Sequence, residues 1–245
     1  MIRVPPALIA AALGLGLWQG VVWLAAPPPF ILPSPARVAH VGWENRSLLI
    51  EHAGVTLSEV LLGLSLGIVI GALAAIMLAR SERLGSVIMP MLVLTQAVPV
   101  FALAPILTLW AGYGMVSKVL MAALIIFFPV LSAFHDGLTR MPPGLSDLST
   151  VMNARPAQAL LRLRIPHALP SLAVGVKMAF VYAPIGAVIG EWVGASRGLG
   201  YLMLLANGRA KTDLMFACLA VLAISTVALY RLASWCLDRL VWEDG

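Results

Sequence analysis

From Val55 to Ala79 the chain runs apolar past a single ionisable side chain, Glu59. That is longer than the roughly 20 residues a helix needs to cross a hydrocarbon core of about 30 Å. Similar runs recur at about Ala7–Ala26, Val87–Trp110, Val116–Phe134, Leu172–Val193 and Leu214–Trp235. In lipid, each backbone polar group must find its partner inside the protein, so a span is a helix or a strand of a closed barrel. Barrel strands alternate over about 10 residues, and these runs are longer and apolar on all sides. The expectation is an all-α membrane protein with about six transmembrane helices, folded as one domain over residues 1–245. Composition agrees: 61% of residues are apolar and 11% charged, against about 45–50% and about 25% in soluble domains.

The connecting segments set the topology. Pro27–Gly54, rich in proline and polar residues, reads as a loop or short surface helix outside the bilayer. With the N-terminus inside, Arg3, Arg80, Arg83, Arg140, Arg155, Arg162, Arg164, Arg231 and Arg239 fall in inner segments. Arg37, Arg46, Lys118, Arg197, Arg209 and Lys211 fall in outer ones, and Lys177 lies within the fifth run. The excess of basic residues inside places both termini in the cytoplasm. The first run, behind Arg3, is longer than a signal-peptide core of 7–15 residues and reads as an anchor. The net charge of +5 does not indicate nucleic-acid binding, because the basic residues punctuate apolar runs and form no stripe. Cys218 and Cys236, about one helix apart, suggest neither a disulfide framework nor a thiolate metal site. The four histidines are scattered without metal-ligand spacing, and no metal is expected.

The long inner segment His135–His167 carries the most informative pattern. Pro156 suits a first helical position, and Ala157–Leu163 are mostly good helix formers. The reading is a brief helix with Leu160 and Leu161 on its apolar side, Arg162 and Arg164 on its basic side, and Pro166 as its stop. A short helix held at the membrane face can lay its apolar side into a partner's groove.

This segment resembles the cytoplasmic loop of permeases in binding-protein-dependent ABC importers. Their motif is Glu-Ala-Ala, three residues, Gly, nine residues, then Ile-any-Leu-Pro. Here Asp147 stands at the Glu position, Leu148 and Ser149 at the alanines, and Asn153 at the glycine. Leu163-Arg164-Ile165-Pro166 closes the motif with its spacing intact. Asn suits the glycine position if a left-handed backbone is needed there. Thr56–Gly63, Thr95–Pro99 with Ala104-Pro105, and Gly190–Gly194 with Gly198–Met203 resemble the sulfonate, nitrate and taurine permease group. Together with Thr212–Ala217, they look most like permeases for thiamine precursors of the hydroxymethylpyrimidine type.

The resemblance implies a type I ABC importer permease fold with a coupling loop at about 135–171. It implies a transport subunit, not an enzyme: the chain has no Gly-any4-Gly-Lys-Ser/Thr loop. ATP and Mg would be bound by a partner ATPase, with no cofactor on this chain. A solute-binding protein would deliver the solute, and a second permease copy would complete the channel in the bacterial inner membrane. The ATPase-coupling candidates are Asp147, Asn153, Ala157, Leu160, Leu161, Arg162, Arg164 and Pro166; Arg162 and Arg164 read equally as holding topology and lipid headgroups, with membrane lipid as the partner.

The solute-pathway candidates are Gln96, Tyr182 and Glu191. Gln96 precedes Pro99, where a broken helix can line a cavity. Glu191 either lines the pathway or sits at the outer interface beside Trp192. Glu59 reads as interfacial, and Trp110 and Tyr113 as interface anchors. Gly63, Gly67 and Gly71 form a close-packing face for another helix, the subunit partner's among the candidates. Two other classes compete with the importer. A stand-alone secondary transporter calls for internal repeats and coupling-ion sites. A membrane enzyme calls for a clustered acid and base; Glu51-His52 and His135-Asp136 fall on opposite sides of the expected topology.

Overall fold

The computed structural model describes residues 6–240, with the side chains of 6–8 and of Glu82 left aside. Arg3, used in the topology above, lies outside this range. The chain forms α1 (Pro6–Ala25), α2 (Pro35–Glu44), α3 (Arg46–Ala79), α4 (Glu82–Thr95), α5 (Val100–Ala111) and α6 (Met115–Thr139). It continues with α7 (Pro143–Val151), α8 (Pro156–Ala159), a π turn (Leu160–Arg164), α9 (Ile165–Gly194), α10 (Leu199–Gly208) and α11 (Thr212–Leu240). No strand occurs among the described residues.

Four helices are long and apolar enough to cross a membrane: α3, α6, the continuous helix Pro156–Gly194, and α11. A bent pair, α4 and α5, forms a fifth passage or a re-entrant loop. The shorter apolar helix α1 stands where the first span is expected. The large apolar side chains on the outer faces, such as Leu62, Val69, Leu73 and Leu109, are exposed as a lipid solvent requires.

The centre of the bundle is α6, packed between α3 and α9. Close approach is set by small residues, as van der Waals packing in lipid favours. The Gly63, Gly67 and Gly71 face meets α6 of the same chain, at Ala122, Ile126 and Phe127; it does not serve a partner subunit. From the other side, a β-carbon built at Gly186 would lie 2.5 Å from Ala122 Cα. One at Gly175 would lie 3.0 Å from the Pro129 carbonyl oxygen. Val60, Leu64, Ile126, Val130, Ala179 and Ala183 fill the middle. Separate clusters close the two ends, one around Leu78, Phe134 and Leu160, the other around Leu49, Leu202 and Cys218.

Three expectations need correction. The third span is not one helix: α4 and α5 meet at 93°. Pro99 has no N–H, and the residue before a proline is pushed out of the α region. Gln96, Ala97 and Val98 instead donate to Val93, Leu94 and Thr95, which ends α4 in tight turns. Second, α3 starts at Arg46, well before the expected Val55.

Third, Pro166 does not stop the helix that starts at Pro156. The helix runs on to Gly194. Just before Pro166 it opens into the π turn, where the Ile165 N–H reaches the Leu160 carbonyl. The widened turn carries the helix past a residue that cannot donate.

Candidate functional site

One end of the bundle gathers the buried polar side chains. Glu191 lies three residues from the end of α9 and is 1% exposed. Thr56 donates its hydroxyl to Glu191 Oε1 at 2.6 Å. The backbone N–H groups of Gly200 and Tyr201 donate to Oε2 at 2.5 and 3.2 Å. The Leu199 N–H donates to Thr56 Oγ1 at 2.8 Å, and the Gly198 N–H to His52 Nδ1 at 3.0 Å.

These donors are the opening turn of α10. The first N–H groups of any helix lack intrahelical partners, and the macrodipole there favours an anion. Side chains from α3 and α9 therefore cap a third helix, and α10 is held down by a carboxylate it does not itself carry. Gly198 makes the approach possible. Its φ is +111°, and a β-carbon there would overlap the Glu191 carboxyl group.

Two more ionisable side chains complete the cluster. Glu59 is 2% exposed and buried in the same cluster as Glu191. Its Oε2 has no hydrogen-bond partner. The interfacial reading of Glu59 fails because α3 begins earlier than expected, which places Glu59 deep in the bundle. Lys118, expected in an outer segment, is likewise buried. Its ammonium donates to the carbonyls of Tyr113, Gly114 and Gly194 at 2.9, 2.8 and 3.3 Å. It thus ties the end of α9 to the turn before α6.

Sequence reasoning gave His52, Thr56 and Lys118 no place in this cluster, although Thr56 opens one of the family-like stretches, His52 stands beside Glu51, and Lys118 is a charge just inside an apolar run. The three pathway candidates do not form one site. Glu191 is spent on α10, and its expected place at a wet outer interface is excluded by its burial. Gln96 is exposed at the α4–α5 bend, donating to Thr95 Oγ1 at 3.3 Å. Tyr182 is partly exposed on α9. Trp110 and Tyr113 are both exposed.

At the opposite end, α7 buries none of its residues. Asp147 is exposed on it, and Leu148, Val151 and Met152 present apolar surface, Val151 at 84%. Asn153 then takes φ +49°, the left-handed backbone expected of it. The reversal is closed by the Asn153 and Ala154 N–H groups on the Thr150 and Ser149 carbonyls. Ala157, Leu161, Arg162 and Pro166 are exposed on the start of the long helix. Leu160 is 6% exposed and packs in the cluster of Leu78 and Phe134. It faces the bundle and presents nothing to a partner. The free-standing short helix of this loop is thus α7, and Ala157–Leu163 is the root of a long one.

Comparison with known proteins agrees with this architecture. Residues 67–241 match the model of the family described as binding-protein-dependent transport system inner membrane component. A probable ABC transporter permease protein of Haemophilus influenzae is 47% identical, over 97% of both chains. The riboflavin transport system permease protein RibX of Chloroflexus aurantiacus is 41% identical, over 94% of this chain and 87% of its own. The formylaminopyrimidine transport permease protein ThiX of Halalkalibacterium halodurans is 40% identical, over 71% and 70%.

Among solved structures, a chain of the inward-facing MetNI methionine ABC transporter superposes with a TM-score of 0.71. It covers 82% of this chain and 99% of its own at 20% identity, and shows the type I importer permease fold. The chain belongs to the family of inner-membrane permease components of binding-protein-dependent ABC transport systems.

Proposed function

We propose that this permease imports a small, flat nitrogen heterocycle, a pyrimidine precursor of thiamine in first place. The observation that carries this is the pair of relatives near 40% identity. One is named for formylaminopyrimidine and the other for riboflavin. The aliphatic sulfonate and taurine permeases are only 28% identical. The complex is a homodimer of this chain in the bacterial inner membrane, both termini cytoplasmic, fed by a solute-binding protein. ATP and Mg are bound by two partner ATPases. Each ATPase takes the apolar tip of α7, from Asp147 to Asn153, into a groove on its own surface. The loop at about 135–171 is the coupling region, and ATP-driven closure switches the permease between two arrangements.

The test is uptake by vesicles holding the complete complex. ATP-dependent uptake of labelled hydroxymethylpyrimidine or aminopyrimidine, competed by the unlabelled compound and not by taurine, is expected. Uptake of taurine or an alkanesulfonate with none of the pyrimidines refutes the substrate. Uptake by the chain alone, driven by a proton gradient, refutes the ATPase partnership.

A further inference from the structure

The end of the bundle that carries α7 holds more positive charge than the described residues neutralise. Arg80 and Arg83 flank the start of α4, Arg155 precedes α8, and Arg164 closes the π turn. All four line one cavity of about 700 Å³. None of them is in any ion pair found among the described residues. Its walls also include Ser81, while Ala79 and Leu160 give it an apolar floor. An adjoining cavity of about 280 Å³ shares Ala79 and Arg164 and adds His135.

We propose that this cavity binds the phosphate headgroup of an anionic phospholipid of the cytoplasmic leaflet. Guanidinium groups repel one another unless an anion lies between them, and their planar forks match phosphate oxygens. The depth is right for a headgroup. Ala79, which lines the cavity, is the last residue of the α3 span. Beside it, Leu84 and Val87 of α4 are exposed as lipid-facing residues. Basic pockets between helices at this level attract anionic headgroups, and the apolar floor suits the carbons next to the phosphate. A protein partner is better served by α7, which buries none of its residues and lines none of this cavity. The inference rests on the membrane-spanning architecture and not on the identity of the solute.

The experiment is native mass spectrometry of the full-length chain, purified with any ATPase it retains and titrated with phosphatidylglycerol or phosphatidylcholine. Preferential retention of phosphatidylglycerol is expected. Arg80→Gln/Arg83→Gln should weaken it by roughly fivefold per arginine, with ATPase retention unchanged. Arg209→Gln/Lys211→Gln, at the opposite end, should leave lipid retention as it was. Equal binding of the two lipids, or undiminished phosphatidylglycerol affinity in the first variant, overturns the proposal. So does loss of the ATPase with lipid intact, which would assign the cavity to a protein.

Displacement of phosphatidylglycerol by excess inorganic phosphate that then stays bound would assign the cavity to a free anion, and also overturns the proposal. Should the first variant fail to fold, wild-type protein is photocrosslinked to a phosphatidylglycerol bearing a headgroup probe. Adducts on 79–83 and 155–164 are expected, and adducts only elsewhere overturn the idea. Failure of the ATPase to co-purify with wild type bears on the importer assignment and leaves the lipid comparison readable.

Discussion

A single carboxylate governs the packing of α10. Glu191, 1% exposed, accepts from Thr56, Gly200 and Tyr201. Removing it leaves the Gly200 and Tyr201 N–H groups without an acceptor, each costing about 1–3 kcal/mol, while the Thr56 hydroxyl can turn to the His52 carbonyl. Glu191→Ala should therefore destabilise the protein by at least about 2 kcal/mol, read as a lower thermal unfolding midpoint in detergent. Glu191→Gln, which keeps one acceptor oxygen, should lose less. An unchanged midpoint for the alanine variant would mean that α10 is held by its apolar contacts alone. Gly198→Ala should resemble Glu191→Ala, since its side chain would occupy the place of the carboxyl group. The sequence marks Glu191 as unusual, because a charge in an apolar run demands a reason. Its partner Thr56 is 135 residues away, and no local pattern couples the two.

Helices were legible where composition alone decides them, and their ends were not. Expected spans two, four, five and six match α3, α6, α9 and α11 in their apolar stretches, because lipid exposure and the α6 contacts both demand such residues. The ends moved because capping and proline accommodation are geometric. Pro99 breaks its helix, while Pro166 does not, though both sit in the interior of a helical pattern. At Pro166 the chain continues through a π turn beside the packed Leu160, which no spacing rule sees, while Pro170 and Pro184 lie inside α9 without one. The short α10 was missed because it is too short to span.

The packing of α6 gives the sharpest prediction for an element. Gly186→Ala sets a methyl against the backbone of Ala122, which cannot yield. It should cost about 1–3 kcal/mol, whereas Gly20→Ala, with nothing within 4 Å, should leave the unfolding midpoint unchanged. At the tip of α7, Asn153→Gly should preserve ATPase retention, and Asn153→Val should reduce it. A β-branched side chain is strained by about 1–2 kcal/mol in the left-handed region. Because α7 buries nothing, neither change should alter the unfolding midpoint; a lowered midpoint in the valine variant would refute this local account.

For the molecule as a whole, the two cysteines report orientation. Cys218 is fully buried and Cys236 is exposed near the end of α11. A membrane-impermeant maleimide should label the protein in inside-out vesicles and not in right-side-out ones, with Cys236→Ser abolishing the signal. Labelling of right-side-out vesicles would invert the topology. The distribution of basic residues is what this expected orientation rests on, and the family match adds the importer assignment. Which surfaces a second copy would cover was not legible. The exposed apolar faces of α4 and α5 look alike whether lipid or a second copy covers them.

The π turn has a mechanical side. Because it keeps Pro156–Gly194 continuous through Pro166, the corner at Asn153 and the Glu191 clasp sit near the two ends of one strut. At 1.5 Å per residue its 39 residues reach about 58 Å. A tilt of about five degrees about one end carries the other through about 5 Å, nearly a full helical turn in height. Force applied beside α7 has a lever to the far side of the bilayer, with α10 pinned at its tip.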